Sequence, residues 1–142
     1  MILRIFRGVW FISMLTVVAN MLYVYAGLPE EVAVMEEDGV VSTVGKETIF
    51  YGWLTIIGAV NVMVYLFSKT LAPDEGFRTW FTGLIITLNI FLIIAFSYIS
   101  LYNSNENFDF SRAGMVLYMG VGLVLAWVVC WPVVLLIRKL SA

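Results

Sequence analysis

Histidine is absent from this 142-residue chain. That one absence excludes bis-histidine haem, histidine-held metals and a histidine proton relay. Cysteine occurs once, at Cys130 within an apolar run, so no intramolecular disulfide can form. Charge is scarce too: 13% of residues are Asp, Glu, Lys or Arg, against about 25% in soluble domains. The 8 basic residues are scattered and the net charge is −2, which excludes a nucleic-acid surface. Gly-rich phosphate loops, Ser-His-Asp sets and paired carboxylates inside apolar runs are also missing. No residue set is present that could run a reaction, so neither an enzyme, a cofactor nor a metal is expected.

What is present is apolar surface. Hydrophobic residues make up 62% of the chain, more than a soluble core can hide but no more than a bilayer accepts. The expected fold is all-α and membrane-integral, one domain over 1–142: an up-down bundle of four transmembrane helices, with spans near 9–26, 48–68, 77–102 and 112–137. Val24-Tyr25-Ala26 resembles a leader-cleavage site, but the run is too long for one, and Asn20 and Tyr23 interrupt it. The third span would be about 39 Å long, beyond a hydrocarbon core of about 30 Å, so it should tilt or project. Arg4, Arg7, Lys69, Arg78, Arg138 and Lys139 fall on one side of this topology, against Lys46 and Arg112 on the other. The positive-inside bias then puts both termini in the cytoplasm and the acidic loop outside.

The loop at 27–47 carries Glu30, Glu31, Glu36, Glu37, Asp38 and Glu47, six of the ten carboxylates. Leu28-Pro29 stops the first helix, because the residue before proline is pushed out of helical geometry. Val32–Met35 and Val40–Val44 are rich in β-branched residues and flank Asp38-Gly39. Asp-Gly in that setting signals a hairpin closed by a type I′ turn. A two-stranded hairpin is marginal alone, so helix ends or a partner must support it. Glu36, Glu37 and Asp38 at its tip are either a solvated face or a contact for a basic partner. A polar turn at 68–76, with Asp74 as N-cap, and a turn-rich connection at 103–109 join the later spans.

No carboxylate, lysine or arginine lies in the interior of a span, which argues against an ion-coupled transporter. Asn20, Asn61 and Asn89 do lie inside spans, and read as interhelical polar contacts or as a polar ligand site. Counted from the span ends, Asn20 falls toward the outside, Asn61 toward the cytoplasm and Asn89 near the middle, so no shared cluster is expected. Gly114, Tyr118, Gly122, Ala126 and Cys130 recur every four residues in the fourth span. Gly122 and Ala126 form a small-x-x-x-small pair suited either to packing within the chain or to a partner's helix. Trp10, Tyr25, Tyr51, Trp80, Tyr98, Tyr102 and Trp131 fall near span ends, as an interfacial aromatic belt requires.

Tyr25-Ala26-Gly27-Leu28-Pro29-Glu30, then Val34, Gly39 and Lys46-Glu47-Thr48-Ile49-Phe50-Tyr51, resemble the opening module of the SdpI-like family of small bacterial membrane proteins. The resemblance covers the first third to half of the chain. It implies an LP motif after the first helix, a short extracytoplasmic loop with a glycine and a second helix. Some members act in immunity to, or sensing of, a secreted toxic peptide. Where the family usually carries a loop histidine, this chain has Met35 nearby. The later half, with TGLIITLNIFLIIAFSYISLYNS and NFDFSRAG, is similar to uncharacterised four-helix bacterial inner-membrane proteins. Two functions stay open: a non-enzymatic accessory or structural subunit of a larger inner-membrane complex, such as a secretion, motility or respiratory machine, and an SdpI-like sensor or immunity protein acting alone. The expected partners are the lipid bilayer and other membrane-protein subunits.

Overall fold

The structure, a computed structural model, describes residues 1–67, 70, 74–104 and 110–141, with the side chains of Phe110, Ser111 and Ala113 excepted. Most of the expected turn at 68–73, Lys69 included, and the connection at 105–109 lie outside the described residues. The elements run α1 (Ile2–Gly27), β1 (Glu31–Glu37), β2 (Val40–Gly45), α2 (Lys46–Leu66), α3 (Glu75–Tyr102) and α4 (Phe110–Leu140). All four helices are long and apolar enough to cross a membrane.

The helices overrun the apolar spans at several ends. α1 starts at Ile2 rather than near Val9, taking Arg4 and Arg7 into its first turns. α4 continues through Arg138 and Lys139 to Leu140. Hydropathy ends where charge begins, whereas a helix continues until something breaks it, and Arg and Lys are good helix formers. α2 spans Lys46–Leu66, set back slightly from the expected 48–68. α3 opens where expected: the Phe77 amide donates to Asp74 Oδ2 at 3.1 Å, so Asp74 is the N-cap.

Ile2 of α1, Glu75 of α3 and Arg138 of α4 line one cavity, so the start of α1, the start of α3 and the end of α4 meet at one end of the bundle. This is the terminal end. The hairpin and the last residue after α3, Asn103, meet at the opposite end. The helices therefore alternate up and down. α3 is central, packed most extensively against α1 and then α4, with α2 against both α1 and α3. The buried core lies toward the hairpin, where Val17, Met21 and Val24 of α1 meet Ile49, Trp53 and Ile57 of α2 and Leu92 and Phe96 of α3. Trp53 stacks on Phe96 at 4.1 Å between ring centroids.

The two strands pair antiparallel, Glu37 opposite Val40 and Glu31 opposite Gly45. Asp38 (φ 51°) and Gly39 (φ 77°) both take positive φ, as a type I′ turn demands. The ladder slips between Ala33 and Met35, whose partners are the adjacent residues Thr43 and Ser42, so Val34 forms a bulge. Helix ends support the hairpin. Val32 is wholly buried beside Leu28 in the core, and the Lys46 amide donates to the Glu30 carbonyl at 2.9 Å.

Candidate functional site

Trp10, Ser13, Val17 and Asn20 are spaced three and four apart, so they lie along one side of α1. That side meets α2 and α3 in a closed polar cluster. The Trp10 indole N–H donates to Asn61 Oδ1 at 2.9 Å. The amides of Asn61 and Asn89 pair reciprocally, each Nδ2 donating to the other's Oδ1 at 3.0 Å. Asn61 Nδ2 also donates to the Ile57 carbonyl at 2.8 Å, and Asn89 Nδ2 to Ser13 Oγ at 3.0 Å. Ser13 Oγ in turn donates to the Trp10 carbonyl at 2.7 Å. Asn89 is fully buried and Asn61 nearly so, yet among the described residues no buried side-chain nitrogen or oxygen lacks a partner. The cluster ties three helices together and presents no unsatisfied group to a ligand, which fits a packing role.

This corrects one expectation from the sequence. Asn61 and Asn89 share a cluster because depth counted from span ends assumes that all spans begin in one plane. α2 has 21 residues and α3 has 28, so positions unequally far from their ends lie side by side. Asn20 does stand apart: its Nδ2 donates to the Ile93 carbonyl and its Oδ1 accepts from Ser97, both at a long 3.4 Å.

At the hairpin end Asn103 acts as a one-residue strand partner. Its Oδ1 accepts from the Ala33 amide at 2.8 Å and its Nδ2 donates to the Ala33 carbonyl at 3.0 Å. This reproduces the two-bond exchange of an antiparallel ladder on an otherwise open strand edge. Beyond the bulge no described residue buries the outer half of the hairpin. Glu36, Glu37 and Asp38 are exposed at its tip, and so are the apolar side chains of Val34, Met35, Val40 and Val41.

The half-buried or buried positions of α4 among the described side chains are Gly114, Leu117, Gly120, Val124, Trp127, Trp131 and Val134, and they mark the side turned to α3. Gly120 is the small residue that lets α3 approach: a Cβ there would lie 3.2 Å from Phe91 and 3.3 Å from Ile94. Gly122 and Ala126 face outward, along with Tyr118 and Cys130, and nothing lies within 4 Å of a Cβ built on Gly122. A strict four-residue recurrence rotates by about 40° per step on a 3.6-residue helix, so those positions wander off the packed side. Gly122 and Ala126 are therefore exposed on the outer side of α4, away from the packed side.

At the terminal end α3 and α4 are locked by two tryptophans. The Trp80 indole donates to the Trp127 carbonyl at 3.0 Å, and the Trp127 indole donates to the Trp80 carbonyl at 2.9 Å. Trp10 and Trp80 thus serve helix contacts rather than a belt alone. Beside this lock is a cavity of about 420 Å³, lined by Phe6, Trp80, Trp127, Trp131 and Val134 together with Glu75 and Arg138. A second cavity, of about 730 Å³, is lined by Arg4, Arg7, Arg78 and the same Glu75. Among the described residues no group of three or more potential metal ligands is brought together.

Comparison with known proteins found no matching family model, no similar curated protein and no similar solved structure. Geometry alone therefore orders the candidates. Sequence reasoning missed Trp10 and Ser13 as partners of the asparagines, though their three-and-four spacing with Asn20 was visible. It also missed Asn103, which reads locally as a turn residue because its partner, Ala33, lies 70 residues away.

Proposed function

We propose that this chain is a non-enzymatic accessory or structural subunit of a larger bacterial inner-membrane complex. The supporting observation is the hairpin. Its base is held by Asn103 and by the core, while its outer half exposes Val34, Met35, Val40 and Val41 beside three carboxylates. Apolar helix surface finds its complement in lipid, but apolar side chains on a projecting acidic hairpin need a protein surface. Gly122 and Ala126 on the outer side of α4 add a place where a partner's helix can come close. Purification from native membranes in mild detergent, followed by mass spectrometry, tests this. The parent should carry a membrane-protein partner at fixed stoichiometry. Met35→Ser with Val41→Ser should lose most of that partner at unchanged expression, and so should Gly122→Leu with Ala126→Leu if α4 is part of the seam. Changing Glu36, Glu37 and Asp38 to Gln, Gln and Asn should weaken recovery at low salt and flatten its salt dependence. A parent recovered as a lone monomer or homodimer would defeat the subunit reading. It would favour an SdpI-like sensor or immunity protein, a reading supported by Leu28 closing α1 and Gly39 turning the hairpin.

The same proposal places both termini in the cytoplasm. Its support is the gathering of Arg4, Arg7, Arg78 and Arg138 at the terminal end, opposite the acidic hairpin. Alkaline phosphatase fused after Gly39 should be active, and fused after Ala142 inactive. Activity at the C-terminal fusion would invert the orientation.

A further inference from the structure

The geometry points to a binding site for one anionic phospholipid at the terminal end of the bundle. The two cavities there share Glu75, and their chemistries differ in the way an amphiphile's two halves differ. Among the described residues one is lined by Arg4, Arg7 and Arg78, with Glu75 as the one acidic side chain, so positive charge predominates there. Arg4 and Arg7 are exposed on the first turns of α1, and Arg78 is half-buried in the first turn of α3. The other is walled by the rings of Phe6, Trp80, Trp127 and Trp131. At about 420 Å³ it falls in the size range of small-molecule sites, about 300–1,000 Å³. Arginine forks match phosphate oxygens bidentately, and an apolar aromatic slot alongside gives an acyl chain a place that free phosphate cannot use. Tryptophan favours the headgroup level of a bilayer, and basic pockets between helices on the cytoplasmic side are where anionic headgroups collect. The reading rests on the proposal that the four helices span a membrane with this end in the cytoplasm.

Native mass spectrometry of the full chain, released from nanodiscs containing equal amounts of dioleoyl phosphatidylglycerol and dioleoyl phosphatidylcholine, tests it. The parent should retain phosphatidylglycerol over phosphatidylcholine by about tenfold, as several basic side chains near one headgroup allow. Arg4→Gln with Arg7→Gln, both at exposed positions, should bring that ratio close to one, and the melting temperature of the variant shows that its fold is kept. Cys130→Trp, which fills the aromatic slot from its exposed rim, should lower retention of both lipids. The proposal is overturned by an even ratio in the parent, by a ratio unchanged in the arginine variant, or by undiminished retention in Cys130→Trp. Displacement by glycerol 3-phosphate as effective as by dioctanoyl phosphatidylglycerol would also overturn it, since a bare anion would then be the ligand. Alkaline carbonate extraction keeps the membrane reading separate. Protein released into the soluble fraction defeats that reading, whereas an embedded protein with no lipid preference defeats only this inference.

Discussion

Gly83→Ala should lower the thermal midpoint of the detergent-solubilised protein sharply, while Gly122→Ala should leave it unchanged or raise it modestly. Both positions are helical glycines, and both changes add one methyl group. At Gly83 the new Cβ would overlap the Trp127 ring at Cζ2, lie 2.7 Å from its Cε2 and come within 3.0 Å of Phe6. The indole cannot simply swing aside. Its Nε1 is bonded to the Trp80 carbonyl, its own carbonyl accepts from Trp80, and Phe6 lies 6.2 Å away between centroids. Relief means either breaking those two bonds or separating α3 from α4. Overpacking of this kind costs about 1–3 kcal/mol, and the coupled loss of the indole pair puts Gly83→Ala at about 3 kcal/mol or above. At Gly122 no atom lies within 4 Å of the added carbon, and alanine favours helix over glycine by about 1 kcal/mol. Thermal unfolding followed by circular dichroism distinguishes the two. Equal midpoints would mean that Trp127 does not rest on Gly83.

The second large effect belongs to the buried amides. Asn61→Leu should destabilise more than Asn89→Leu, although Asn89 is the more deeply buried. Asn61 Oδ1 accepts from both Trp10 and Asn89, so its removal leaves two donors short. Removal of Asn89 takes one partner from Asn61 and leaves the Ser13 hydroxyl, which still donates to the Trp10 carbonyl. Interhelical polar contacts in membranes average about 0.6 kcal/mol with a maximum near 1.7, and an orphaned buried donor costs about 1–3 kcal/mol. Asn89→Leu should therefore cost about 1 kcal/mol and Asn61→Leu about 2 kcal/mol. The double variant should cost less than their sum by about 0.5–1 kcal/mol, since the reciprocal pair can be lost only once. Additive costs would mean that the amides do not pair. An Asn89→Leu protein as stable as the parent yet unable to associate with its partner would instead make this cluster a functional path rather than helix packing.

The four long helices, the stop at Leu28-Pro29, the Asp74 cap and the Asp38-Gly39 turn were all legible, because each depends on neighbours within a few residues. The side that α4 turns to α3 was not. Its helix is apolar nearly all round, so hydropathy offers no face. Small residues at regular spacing pointed to Gly122 and Ala126, whereas packing uses Gly120 and Gly83. The asparagines were visible as polar positions, but their pairing was not, since it depends on how far α2 is set back against α3.

The sequence by itself determined the apolar helices, the acidic hairpin with its turn type and the grouping of basic residues by loop. Backbone geometry and solvent preference act locally, so composition is enough to specify them. Only the tertiary structure decided which polar groups meet, which glycine admits a tryptophan, that Asn103 completes the hairpin's edge and that Arg4, Arg7 and Arg78 surround one cavity. In a bundle whose surface is apolar everywhere, burial of hydrophobic area does not distinguish one helix rotation from another. Interhelical hydrogen bonds and ring-on-glycine contacts do so instead, and they exist only once the helices have met.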